Sequence, residues 1–238
     1  MTSDIRSLRR ASLTAGIALA LMAVLAAFAV FGATNPSITA GDAAKTAQDI
    51  AQSQTLFRWG IACMIVVVVL DIIVASALRT LFASVNASIS NMAAWFRVAY
   101  AAVYLVAILQ LVIALGLLGD PNQAARAIDA YNTIWLVGLI LFGVHLLLVG
   151  YLAYRSGFMA KVFGILLALA GLGYVADGFV AVLVSGEAVS VGQFTFVGEV
   201  ALIFWLLIQG RRLTSPDVDG GTGRQQPEAE ALLAPRAG

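Results

Sequence analysis

Asp71, His145, Asp177 and Glu199 each interrupt a long apolar run, and the amide Gln110 interrupts another. Carboxylates and an imidazole in oily surroundings can pass a proton, hold a cation or tie helices together by hydrogen bonds. Counting 1.5 Å per residue along the runs puts all five within roughly 6 Å of the middle of their segments. A charge at the centre of a bilayer costs about 2.5 to 3.5 kcal/mol on insertion scales, so such groups turn inward, pair, or lose the charge. The central stretches of the runs hold no Lys or Arg. The acids therefore have to meet a histidine, a hydroxyl, a bound cation or a proton, and His145 is the natural partner for one of them.

The surroundings are oily because the whole chain is. Its 238 residues are 61% hydrophobic and 11% charged, with a mean hydropathy of +0.93. That composition excludes a soluble globule and makes the lipid bilayer the first expected partner. Fourteen Lys and Arg against thirteen Asp and Glu leave a net charge of +1, with no basic face to neutralise a nucleic acid. Cys63 lies alone in an apolar run, so neither an intrachain disulfide nor a thiolate metal cluster can form, and it reads as a small core hydrophobe.

A helix needs about 20 apolar residues to cross the hydrocarbon, because every backbone amide must find its partner within the segment. Six stretches meet that requirement: Leu13 to Ala33, Trp59 to Leu78, Val98 to Leu118, Ile134 to Tyr154, Phe163 to Leu183 and Val189 to Ile208. The expected fold is all-α, a polytopic membrane protein built as a six-transmembrane-helix bundle. Arg6, Arg9, Arg10, Arg79, Arg97, Arg155, Lys161, Arg211, Arg212, Arg224 and Arg236 fall on one side of these spans, and Lys45, Arg58 and Arg126 on the other. Basic residues are retained in the cytoplasm, so both termini are expected there, in an inner (plasma) membrane. The first run is too long for a cleaved signal and reads as an uncleaved helix.

The domain organisation follows. Residues 1–12 form a cytoplasmic N-terminus, 13–210 the membrane domain and 211–238 a Pro- and Gly-bearing tail too polar to order itself. A short helix over about 42–54, capped by Thr39 or Asp42, is expected on the outer rim, with Ala43, Ala47, Ile50 and Ala51 on one face. Phe82 to Phe96 reads as an inner connection, with Trp95 in the interfacial belt.

Local sequence says which way the polar groups point. Ala170, Gly173, Tyr174, Asp177 and Ala181 share a face of the fifth span, and such small residues let helices approach closely. Gly192, Thr195 and Glu199 share a face of the sixth, and Gly138 lies two turns before His145. Asp71, among Val67, Val68 and Ala75, carries the weakest directional signal. Arg58, at the outer end of the second span, reaches toward Glu199 if those spans are neighbours. Two halves of three spans would be related by inverted topology, with an Asp in the second and fifth, although their surroundings align poorly. None of the spans contains proline.

Three functions compete. One is a proton- or cation-coupled carrier or channel for a small solute, working through the central acids. Another is an intramembrane metal-dependent enzyme using Asp71, His145, Asp177 and Glu199, which a single histidine argues against. The last is a non-catalytic protein that binds a lipid or protein partner, its polar groups holding helices together. The first is preferred, with a bound cation at the central groups allowed; no catalytic or cofactor-binding residue is assigned, and an enzyme is the less favoured class.

Several segments carry a family likeness. They are Gly41-Asp42-Ala43-Ala44-Lys45-Thr46 leading to Leu56-Phe57-Arg58-Trp59-Gly60, then Gly150 to Phe158, then Gly171 to Asp177, and Glu199 followed by Trp205 to Gly210. The stretch from about Leu8 to Arg211 resembles the bacterial family catalogued as domain of unknown function 4386. Tyr154-Arg155-Ser156-Gly157-Phe158 is its most specific piece, and Ala160 stands where the family often has proline. The resemblance implies a six-span integral membrane protein without an assigned activity or cofactor.

Overall fold

A computed structural model describes residues 2–183 and 197–210, and among these every regular element is helical. The expected tail over 211–238, and residues 189–196 of the sixth span, lie outside the described residues. Helix α1 runs over Thr2–Ala27 and continues through a π-helical turn, Phe28–Thr34, and a 3-10 turn, Asn35–Ser37. It is followed by α2 (Ala43–Gln52), α3 (Gln54–Phe82), α4 (Ala87–Gly116), α5 (Pro121–Arg155), α6 (Lys161–Leu183) and α7 (Val197–Ile208). Among the described residues, five helical segments are long and apolar enough to cross a membrane, and α7 is a shorter apolar helix. The chain is thus an all-α, multi-pass bundle.

Caps set where the helices start. Asp42 accepts the Lys45 amide at 2.8 Å, Asn86 accepts the Ile89 amide at 3.0 Å, and Asp120 accepts the Gln123 amide at 3.2 Å. Each satisfies one of the orphan N–H groups of a helix's first turn, and Pro121, which lacks an N–H, costs nothing at the first position. Helix α5 stops at Ser156, and Gly157 turns the chain with φ +74°, a left-handed conformation that glycine adopts without strain.

Two helices start well before their apolar centres. Helix α4 begins at Ala87, eleven residues ahead of the expected Val98, and Ser90, Ala93 and Arg97 are buried along it. Their spacing of three and four residues continues the inward face formed by Ala101 and Tyr104, so most of the expected inner connection is helical. Likewise α5 begins at Pro121 rather than near Ile134, because Ala124, Ala127 and Ile128 form a buried stripe. The short helix sits where expected, but its face is rotated. Thr46 is buried and its hydroxyl bonds the Thr39 amide and carbonyl, whereas Ala51 is exposed.

The long helices pack as a ring. Helix α1 lies on α3, α3 on α4, α4 on α5, α5 on α6 and α6 on α7, and α7 returns to α1. The closure is close: the Ser12 hydroxyl donates to the Leu206 carbonyl at 3.0 Å, and Gly16 leaves room for Leu206 and Leu207. Helix α2 lies over the end of the bundle against α5. The lipid face carries side chains such as Ile17, Phe31, Val69, Val106, Leu169 and Val182, all exposed. Such a ring buries its remaining polar groups in the middle.

Candidate functional site

Three successive turns of α4 aim Arg97, Tyr100 and Tyr104 into the ring, and all three are buried. Arg97 is 2% exposed, which makes it a fully desolvated cation. Its Nη2 meets Asp71 Oδ1 of α3 at 2.7 Å, and its Nη1 lies 3.1 Å from Nε2 of His145 on α5. The other ring nitrogen of His145, Nδ1, is 2.9 Å from the Ala93 carbonyl. A carbonyl can only accept, so Nδ1 carries the proton and Nε2 accepts from the guanidinium. Ala93, one turn before Arg97, leaves space for the imidazole to reach the backbone.

The expectation that the acids would find no basic residue inside the bundle is therefore wrong. Arg97, placed with the cytoplasmic residues in the sequence reading, lies among the acids because α4 extends below its apolar centre. Arg97 Nε has no hydrogen-bond partner among the described residues. An unmet buried donor is costly, about 1 to 3 kcal/mol, and marks a place where another arrangement or a guest would be stabilised.

A second polar pair lies across one aromatic ring. The Tyr174 hydroxyl of α6 donates to Glu199 Oε1 of α7 at 2.7 Å. Phe142 separates the two groups, with its ring 5.3 Å from the Arg97 guanidinium carbon and 5.8, 4.9 and 5.7 Å from the rings of His145, Tyr100 and Tyr174. The cation over its face gains a cation–π attraction worth up to about 2 kcal/mol when desolvated. Arg97 and Asp71 act electrostatically on Glu199, so the two pairs share one field.

A ladder of phenols leads from this centre toward the α2 end. Trp135 Nε1 donates to the Tyr100 hydroxyl at 3.3 Å, Tyr100 stacks on Tyr104 at 5.9 Å, and half-buried Tyr131 lies within side-chain hydrogen-bonding reach of Tyr104. From the opposite end a cleft lined by Arg79, Ser90, Ala94 and Val149 runs to His145, with about 0 Å3 of room for a water molecule.

The sequence-derived set divides. Asp71 and His145 meet through Arg97, Glu199 meets Tyr174, and Asp177 is buried one turn beyond Tyr174 on the same helix. Gln110 is only half-buried and stands thirteen residues beyond Arg97, about 20 Å along α4. It does not join the cluster. Arg58 is exposed on the outside of α3, which does not neighbour α7 in the ring, so it does not reach Glu199. The four-residue metal ligand set is not assembled either. Among the described residues no three of His, Cys, Asp and Glu converge, and a guanidinium sits between Asp71 and His145.

Residues 14–210 match the model of the family described as Domain of unknown function (DUF4386). The chain belongs to this DUF4386 family. A relative from Archaeoglobus fulgidus, described as an uncharacterized protein, is 36% identical over 156 residues, covering 66% of this chain and 86% of the relative. No solved structure matches. As a DUF4386 protein the chain has a membrane-helical architecture, with the cluster around Arg97 inside the matched region.

Proposed function

We propose that this protein is a proton-coupled carrier of a small solute in a plasma membrane, with both termini in the cytoplasm. The observation that carries the reading is the enclosure of Asp71, Arg97, His145, Tyr174 and Glu199 by five different helices around Phe142. Ionisable groups in mid-bundle are costly, and their commonest use is to move protons or ions. Arg97 narrows the choice of coupling ion. A resident guanidinium already occupies Asp71 and repels a metal cation, whereas a proton can still be exchanged at Glu199. The phenol ladder from Tyr131 offers hydroxyls from one end, and the cleft toward His145 approaches from the other.

In this mechanism Glu199 is the exchanging group and Tyr174 holds it in place. While Glu199 is charged it competes with Asp71 for the field of Arg97; once protonated it releases that competition, and α7 with α6 can move relative to α3 and α4. A population shift of this sort needs only a differential stabilisation of a few kcal/mol between the two states.

The test is proton flux into proteoliposomes carrying an internal pH-sensitive dye under an imposed membrane potential. Wild-type flux above that of protein-free vesicles, abolished by Glu199→Gln and slowed by Tyr174→Phe, is the expected result. Each of these variants should unfold in detergent within about 1 to 2 kcal/mol of wild type, since Tyr174→Phe loses one interhelical hydrogen bond and Glu199→Gln keeps an amide oxygen that accepts it. Flux at the vesicle background would favour a second reading, that the polar groups are a packed structural joint. The absence of room for water beside His145 supports that second reading.

A further inference from the structure

On the outer surface of the ring, α1 and α3 leave a groove lined by Arg10, Ala11 and Thr14 on one side and Ile73, Ser76, Ala77 and Thr80 on the other. It holds about 290 Å3 of space accessible to a water-sized group, against about 0 Å3 in the cleft at His145. Arg10, Thr14, Ser76 and Thr80 are all exposed there. Hydroxyls and a guanidinium facing outward on membrane helices are costly unless something polar covers them. Among the described residues no carboxylate is paired with Arg10. Thr80 donates to the Ser76 carbonyl at 3.0 Å, which leaves the Thr14 and Ser76 hydroxyls facing the groove.

The polarity is graded along the groove. On α1 the face that carries Arg10 and Thr14 continues as Ile17 and Leu21; on α3 the face with Thr80 and Ser76 continues as Ile73, Val69 and Val66. All five of those apolar side chains are exposed. The polar end is near the helix termini, with Ser76 about 9 Å from the end of α3, at the depth where headgroups meet hydrocarbon. Arg6 and Arg9 precede it, so this rim of the bundle is basic.

We infer that this groove binds an anionic phospholipid, its phosphate on Arg10 with the Thr14 and Ser76 hydroxyls and an acyl chain along Ile17, Leu21, Ile73 and Val69. A guanidinium matches phosphate oxygens two at a time, and basic pockets between membrane helices at a headgroup level suit anionic lipids. The amphiphile is favoured over a free phosphate because the charged end of the groove continues directly into an apolar track.

The full-length protein in neutral detergent is titrated with phosphatidylglycerol, with phosphatidylcholine of the same chains, and with sodium phosphate, and lipid adducts are counted by native mass spectrometry. Phosphatidylglycerol should bind in preference to phosphatidylcholine, and Arg10→Gln should weaken it about tenfold. Ser76→Ala, which leaves charge and topology alone, should weaken it several-fold. Arg126→Gln, an exposed basic residue at the other end of the bundle, should change nothing. Equal binding of the two lipids, displacement by sodium phosphate at the lipid's own concentration, or equal losses in Arg10→Gln and Arg126→Gln would each overturn the assignment.

Discussion

Replacing Arg97 by glutamine should destabilise the protein by about 3 to 5 kcal/mol, the range found when one partner of a buried ion pair is removed. Asp71 would then be a carboxylate 2% exposed with no cation, and His145 would lose the donor to Nε2. Asp71→Asn should cost a similar amount, for it leaves the guanidinium facing an amide and a ring nitrogen. The Asp71→Asn, Arg97→Gln double variant should recover part of the loss, since two neutral amides need no counter-charge. Unfolding in mixed micelles, arranged as a double-mutant cycle, measures the coupling. A double variant as unstable as the sum of the singles would show that the two side chains act separately and that the 2.7 Å contact contributes nothing. The same double variant bears on function: it keeps polar side chains in the interior but removes the charge that acts on Glu199, so proton flux should fall even where stability is regained.

The contrast between Asp71 and Arg97 shows how much of the site was legible. The depth of an acid in an apolar run can be counted from sequence, and Gly173 beside Asp177 points that acid inward, where it is buried. Arg97 escaped because a hydropathy window ends where polar residues begin, and Ser88, Ser90 and Asn91 made the first turns of α4 look like a loop. A better signal was available in the periodicity. Ser90, Ala93, Arg97, Ala101 and Tyr104 keep one helical face across the apparent boundary, and a strand of small residues around a long cation is what an inward guanidinium requires. Phe142 had no such signal, for a phenylalanine among leucines and valines carries no mark of standing between two polar pairs. Gln110 was misread for the opposite reason: apolar context and central depth do not distinguish an inward face from a half-buried one. Adjacency was the remaining unknown. Nothing in composition says that α7 closes on α1, and the Ser12 to Leu206 contact that closes it joins residues 194 apart in the chain.

The second large effect lies in the crossing of α5 and α6. Gly143 faces Gly171, and Gly150 faces Gly164, so the antiparallel pair touches at two places seven residues apart on both helices. A Cβ on Gly143 would stand 2.6 Å from the Gly171 carbonyl oxygen, and one on Gly171 would stand 2.6 Å from the Gly143 oxygen. Backbone lies in the way, and no rotamer change can relieve it. Gly143→Ala should therefore force the helices apart and cost about 1 to 3 kcal/mol, the usual range for overpacking. In lipid there is no hydrophobic gain to offset the separation, because the close approach is itself the source of the attraction. Gly171→Ala should cost about as much, and the Gly143→Ala, Gly171→Ala pair clearly less than the sum, since one displacement makes room for both methyls. Gly116→Ala, where nothing lies within 4 Å of the added carbon, should change stability by no more than about 0.5 kcal/mol. Strict additivity of the two crossing variants, measured by the same micelle unfolding, would mean that the helices yield locally instead of parting. If they part, the consequence reaches the polar centre: Phe142 precedes Gly143 and Tyr174 is one turn past Gly171, so the 5.7 Å contact between those rings opens and carries Glu199 away from the field of Arg97.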